Sequence, residues 1–230
     1  MARLEAQIKM EYYPTPTRVV ELIAARVARP IPAGTKLLDP CAGKGEALDQ
    51  LAALLGGAET CGVELNAERA RQAATRLTRA LACSYNELRA PANAFQLLFL
   101  NPPYDWENGK RMEVLFLQHC NGKGWLQAGG LLIWIVPEHV ARREQARKFL
   151  AAWYDGLSIF RFPDPEYAAF KQVVVFGTQR AKRLAAPLWE IPEDIPVLGA
   201  EGPLYTLPAP AALARFYFCL LYTSPSPRDS

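Results

Sequence analysis

Apolar positions along the chain alternate between two spacings. From Thr17 to Ala28, Val20, Ile23, Ala24 and Val27 recur at helical intervals, with Thr17 able to cap the first turn. Lys36–Asp39 (KLLD) then predicts a short buried strand. Ala47–Leu55 reads as a helix stopped by Gly56-Gly57. Thr60–Leu65 (TCGVEL) is a second strand, after which Asn66 can cap a helix to about Leu81 with Ala70, Ala73, Leu77 and Ala80 on its apolar stripe. Ala82–Phe95 is ambiguous, with room for one short strand near Ser84.

Gln96–Leu100 (QLLFL) is the strongest strand signal, followed by a helix over Met112–Cys120 and a strand over Leu131–Val136. Val140–Trp153 has the pattern of a charged amphipathic helix. Leu157–Phe162 and Val173–Gly177 (VVVFG) are strands close enough to pair as a hairpin. Repeated strand–helix units imply an α/β fold with a mostly parallel, doubly wound sheet, to which a C-terminal hairpin adds antiparallel edges.

After about Arg183 the pattern lapses, and Pro187, Pro192, Pro196, Pro203, Pro208 and Pro210 follow in quick succession. Residues 184–218 therefore read as a linker or the start of another module. The last stretch, from Cys219-Leu-Leu-Tyr-Thr-Ser to Pro-Ser-Pro-Arg-Asp229, resembles an in-frame translation of a transposase-based sequencing adapter. Residues 219–230 are accordingly expected to be non-native and are set aside from the fold.

Composition narrows the classes without selecting one. Half of the 230 residues are hydrophobic, enough for a sizeable core. A net charge of +3 permits a nucleic-acid partner but does not demand one. Cys41, Cys61, Cys83, Cys120 and Cys219 form no CxxC, which argues against zinc or a disulfide framework and for a reducing cytoplasm. His119 and His139 are too few and too separate for a metal site. The longest apolar run, Leu131–Pro137, is strand-sized, so no membrane span is expected, and the N-terminus has no signal-peptide core.

Three constellations carry chemistry. In Leu37-Leu-Asp-Pro-Cys-Ala-Gly43-Lys-Gly45, a strand ends in Asp39 and a glycine turn opens a helix, where free N–H groups suit an anion and Asp39 suits a cation. Many nucleotide and flavin sites share such a turn. Glu64, with Leu65 beside it, ends the next strand, at close to the interval of about 20 residues expected of a ribose-binding acid. Leu100-Asn101-Pro102-Pro103-Tyr104 is the most specific. The Asn101 amide oxygen and the Pro102 carbonyl can each accept a hydrogen from one planar NH2, and Tyr104 can stack on the ring that carries it.

DPCAGKG, VEL and NPPY in this order resemble the class I S-adenosylmethionine-dependent methyltransferases of the amino-methylating type, over about residues 10–180. Tyr12-Tyr13-Pro14-Thr15-Pro16 resembles the extra cofactor motif of many N6-adenine DNA methyltransferases. YYPTP, NPPYDWE and FKQVVVFG together resemble methyltransferase-like proteins of bacterial mobile elements. The resemblance implies a Rossmann-like catalytic domain over residues 1–183 with S-adenosylmethionine as cofactor. It implies cofactor contacts from Tyr13, Thr15, Pro16, Asp39, Cys41, Gly43, Gly45, Glu64, Leu65, Asn93 and Phe95. Asn93 stands where the family has Asp, so its contact would lack charge, and Phe95 would pack on the cofactor adenine. Asn101, Pro102, Pro103 and Tyr104 would form the catalytic turn, with Phe170 or Lys171 holding an extruded base. The implied substrate is the N6 amine of adenine in DNA. RNA, a protein glutamine and an inactive binding module remain alternatives.

Overall fold

A computed structural model of the chain describes residues 14–107, 109–185 and 188–220. Helix α1 (Thr17–Ala24) buries Val19, Val20, Ile23 and Ala24. Strand β1 (Lys36–Asp39), helix α2 (Glu46–Leu54), strand β2 (Glu59–Glu64), helix α3 (Ala67–Ala74) and strand β3 (Arg79–Ala82) follow. A 3-10 turn at Tyr85–Glu87 leads through the two-residue β4 (Leu88–Arg89) to β5 (Phe95–Leu100). The short strands β6 (Trp106–Glu107) and β7 (Lys110–Arg111) precede α4 (Met112–Gly122). Next come β8 (Leu126–Pro137), α5 (Glu138–Ala141), α6 (Glu144–Trp153) and β9 (Tyr154–Arg161). Helix α7 (Glu166–Phe170) lies between β9 and β10 (Gln172–Gln179), and β11 (Cys219–Leu220) pairs with β4.

The main sheet runs β3-β2-β1-β5-β8-β10-β9. The first five strands are parallel, while β10 is antiparallel to both β8 and β9. The apolar runs are continuous because both faces of the sheet are covered. On β8, Leu132, Trp134 and Val136 join one core with Val114 and Leu117 of α4 and Leu150 of α6. The alternate residues Leu131, Ile133 and Ile135 join the other, with Val20 and Ile23 of α1 and Leu48 and Leu51 of α2. The expected hairpin forms, but β10 inserts beside β8 and leaves β9 at the edge.

Several elements end elsewhere than the periodicity predicts. Pro16, not Thr17, is the N-cap of α1, whose helix stops at Ala24; beyond it Val27 is buried and the Ala28 N–H donates to the Tyr205 carbonyl at 2.8 Å. Asn66 caps α3 as expected, accepting from the Glu68 and Arg69 N–H groups at 3.0 Å each. That helix ends at Ala74, and Arg79–Ala82 extend alongside β2 as an edge strand, where tertiary pairing overrides the helical pattern. The helix predicted over Val140–Trp153 is broken at Arg142-Arg143.

The stretch 184–218, expected to be a linker or the start of another module, contributes buried Ile195, Leu198, Tyr205 and Leu207. Tyr205 stacks on Phe176, and its hydroxyl donates to the Gly156 carbonyl at 2.6 Å. Most of the tail read as adapter-like, residues 221–230, lies outside the described residues. Among the described residues no helix is long and apolar enough to cross a membrane.

Candidate active site

Strands β2, β1 and β5 are adjacent and parallel, so their carboxyl ends meet at one edge of the sheet. Asp39 is the last residue of β1, Glu64 the last of β2, and Asn101 follows directly on β5. All three line one cavity of about 260 Å³, together with Pro14, Thr15, Cys41, Leu65, Pro102, Pro103 and Tyr104. The glycine turn and the Asn-Pro-Pro-Tyr turn therefore share an edge, as a group transfer between them requires.

The two acids differ in their surroundings. Asp39 is 4% exposed, and its Oδ1 accepts from the Cys41 N–H at 2.9 Å. Burial pushes its carboxyl up to about 7, with the Glu64 charge adding to the effect and the Cys41 N–H opposing it. Burial and the adjacent Asp39 raise the Cys41 thiol as well, so it stays protonated at neutral pH. Glu64 is held ionically. Its Oε1 accepts from the Asn66 N–H at 2.8 Å and from Arg69 Nε and Nη2 at 3.1 and 2.8 Å. Its Oε2 accepts from the Gly43 N–H at 3.0 Å, which leaves that oxygen a second acceptor site, and Glu64 lines the cavity.

At the other end of the cavity, hydrogen bonds run in one direction. Gln172 Nε2 donates to the Tyr104 hydroxyl, which donates to Asn101 Oδ1 at 3.1 Å. Asn101 Nδ2 donates in turn to the Thr15 hydroxyl at 3.1 Å. The Asn101 amide thus presents its nitrogen to Thr15 and its oxygen to Tyr104.

Other expected residues stand elsewhere. Gly43 and Gly45 do not line the cavity, though both adopt positive φ, 55° and 80°. A Cβ on Gly45 would lie 3.0 Å from Leu77 Cγ and 3.2 Å from Ala73 Cα, so that glycine serves helix packing. Pro16 caps α1 outside the cavity, and Tyr13 lies outside the described residues. Asn93 and Phe95 are the clearest departure. They stand at the amino end of β5, about 20 Å of strand away from Asn101. Asn93 is exposed in a turn at φ 58°, and Phe95 is buried against Phe216 and Phe218. Phe170 and Lys171 fall at the end of α7, outside the cavity lining but directly before Gln172.

The cavity wall that Asn93 and Phe95 were expected to supply comes from Cys83, Ser84, Tyr85 and Asn86, just beyond the carboxyl end of β3. Tyr85 stacks on Phe116 with ring centroids 3.7 Å apart, giving that wall an aromatic face. Arg69, Phe99 and Met112 complete it. A strand over Arg79–Ala82 would have pointed to these residues.

Among solved structures, a type I restriction-modification methyltransferase subunit from Streptococcus thermophilus matches with a TM-score of 0.57 at 18% identity, over 74% of this chain and 45% of that one. A predicted O-methyltransferase from Agrobacterium tumefaciens matches at 0.51 and 22% identity, over 74% and 86% of the two chains. An S-adenosylmethionine-dependent O-methyltransferase from Thermotoga maritima matches at 0.52 and 18%, over 75% and 68%. The fold is thus the Rossmann-like one of these methyltransferases, and the chain spans less than half the length of the restriction subunit. No curated protein matches the sequence. Residues 1–195 match a family model, and the chain belongs to that family, the uncharacterised methyltransferase family (DUF6094).

Proposed function

We propose that this methyltransferase moves a methyl group from S-adenosylmethionine to the exocyclic N6 amine of adenine in DNA. The observation that carries this reading is the gathering of Asp39, Glu64 and Asn101 in one cavity at the tips of three neighbouring parallel strands. The donor set suits the cofactor. Two acids face a ligand that bears cationic groups and a pair of ribose hydroxyls, and Glu64 Oε2 retains acceptor capacity for one of those hydroxyls. Leu65, 75% exposed at the cavity rim, and Tyr85 offer apolar faces for a nucleobase. When bound, the cofactor supplies an electrophilic methyl group.

The chain's own residues receive and orient the acceptor. Asn101 Oδ1 and the Pro102 carbonyl take the two N–H bonds of the amine, leaving its lone pair directed at the methyl carbon. Tyr104 stacks on the purine. The β6–β7 hairpin favours a flat, anionic substrate over a protein side chain. It springs from the cavity wall, since Tyr104 precedes it and Met112 follows it. It carries Trp106, half exposed and 5.3 Å from each of the Arg111 and Arg143 guanidinium groups. A duplex adenine would have to leave its stack to reach Asn101. We assign this chemistry to residues 1–183.

Purified protein, titrated with S-adenosylmethionine and assayed with radiolabelled methyl donor on DNA, RNA and cell extract, tests the reading. Label on N6 of DNA adenine is expected. Label only on RNA or protein would move the substrate, and binding without transfer to any of them would leave a cofactor-binding module. Glu64→Ala should weaken cofactor binding by roughly tenfold to a hundredfold through loss of charge-assisted hydrogen bonds. Unchanged affinity by calorimetry would remove Glu64 from the ribose site.

A further inference from the structure

Gln172 takes no part in the chemistry above, yet it is 5% exposed and donates its side-chain amide to the Tyr104 hydroxyl. Its position follows from topology. Because β10 runs antiparallel to β8, its first residue lies opposite Pro137, the last residue of β8. The start of β10 therefore reaches the same sheet edge as the ends of β5 and β8. Gln172 is fixed there, its carbonyl accepting from the Phe162 N–H at 3.0 Å.

A tyrosine hydroxyl has one proton. By donating to the Tyr104 oxygen, Gln172 leaves that proton for Asn101 Oδ1, the atom to which the proposed reaction assigns the substrate amine. We propose that Gln172 is a positioning residue that, through Tyr104, fills one of the two acceptor sites of Asn101 Oδ1 and so fixes the amide with its second site open to the acceptor amine. This inference rests on the methyl-transfer reading. In it, Gln172 sharpens selection of the acceptor, because the incoming N–H must approach along the one direction that the Tyr104 bond leaves open on Asn101.

Two substitutions separate this role from simple packing. In Gln172→Glu the side chain accepts rather than donates, so the Tyr104 proton turns to it: the ring stays held and Asn101 Oδ1 is released. In Gln172→Leu the ring loses its tether. We expect Gln172→Glu to raise KM for the acceptor by about fivefold, the size of the one net hydrogen bond that fixes Asn101, with cofactor affinity unchanged. Gln172→Leu, which frees the ring as well, should raise KM further and also lower kcat. Equal effects of the two on KM and kcat would overturn the inference.

A second measurement needs neither cofactor nor acceptor. Thermal unfolding of Gln172→Leu, Tyr104→Phe and the double variant should show destabilisations that do not add. Additive losses would overturn the coupling. Non-additive losses in a protein that methylates nothing would instead reject the reaction and leave the hydrogen-bond assignment standing.

Discussion

Asn101→Ala is expected to lower kcat by about 10²–10³-fold, the usual cost of removing one preorganised acceptor or donor from a reacting centre. Cofactor affinity should stay within about twofold, because on this reading Asn101 contacts the acceptor and not the nucleoside. The split is diagnostic. An interaction made only as the amine becomes tetrahedral depresses kcat and kcat/KM together. A variant that keeps its rate in single-turnover assays would take Asn101 out of the reaction. The substitution also removes one hydrogen-bond partner each from Thr15 Oγ1 and the Tyr104 hydroxyl, in bonds that are only partly buried, so folding should survive and circular dichroism should be unchanged.

The second large effect concerns Asp39 and has a definite pH dependence. In the folded protein its carboxyl titrates at about 7, against about 3.9 for an unfolded chain. Between these values the folded state holds a proton that the unfolded state lacks, so stability falls as pH rises from about 4 to 7. Above pH 7 the full penalty is present, up to about 4 kcal/mol for a difference of this size. Asp39→Asn should therefore raise the melting temperature at pH 8 by on the order of 10 °C and leave it nearly unchanged at pH 4. The same buried acid links pH to ligand binding. A cationic ligand favours the ionised form, so S-adenosylmethionine affinity should weaken by up to about tenfold per unit as pH falls from 7 to 5. Asp39→Asn should flatten that profile. A wild-type profile already flat over this range would show that Asp39 does not meet the cationic part of the ligand.

Much of this site was legible because strand ends announce themselves. KLLD, GVEL and FLNPPY each put a polar residue directly after an apolar run, and open parallel sheets collect such residues at one edge. Tyr85 was not legible. The strand that presents it, Arg79–Ala82, has little apolar alternation and owes its conformation to pairing with β2, a long-range contact that no local window contains. With that strand read as helix, the expected Asn-Ala-Phe contact was matched one connection too late, at the wrong end of β5. Gln172 was hidden for a different reason. FKQVVVFG marks a strand clearly, but only the antiparallel insertion of β10 decides which end of it faces Asn101. The prolines of 184–218 do not preclude burial: among the described residues of that stretch, Leu207 is as enclosed as a strand residue.

The reversed direction of β10 divides labour across the sheet. On the proposed reading, one flank, from β3 to β1, would grip the nucleoside, and the other would reach the incoming amine through a residue borne by the inverted strand β10. Lengthening or rewriting the connection between β9 and β10 would therefore reshape what is admitted at the acceptor mouth while the cofactor grip stayed intact. A scaffold partitioned in this way can exchange targets by remodelling a single surface segment.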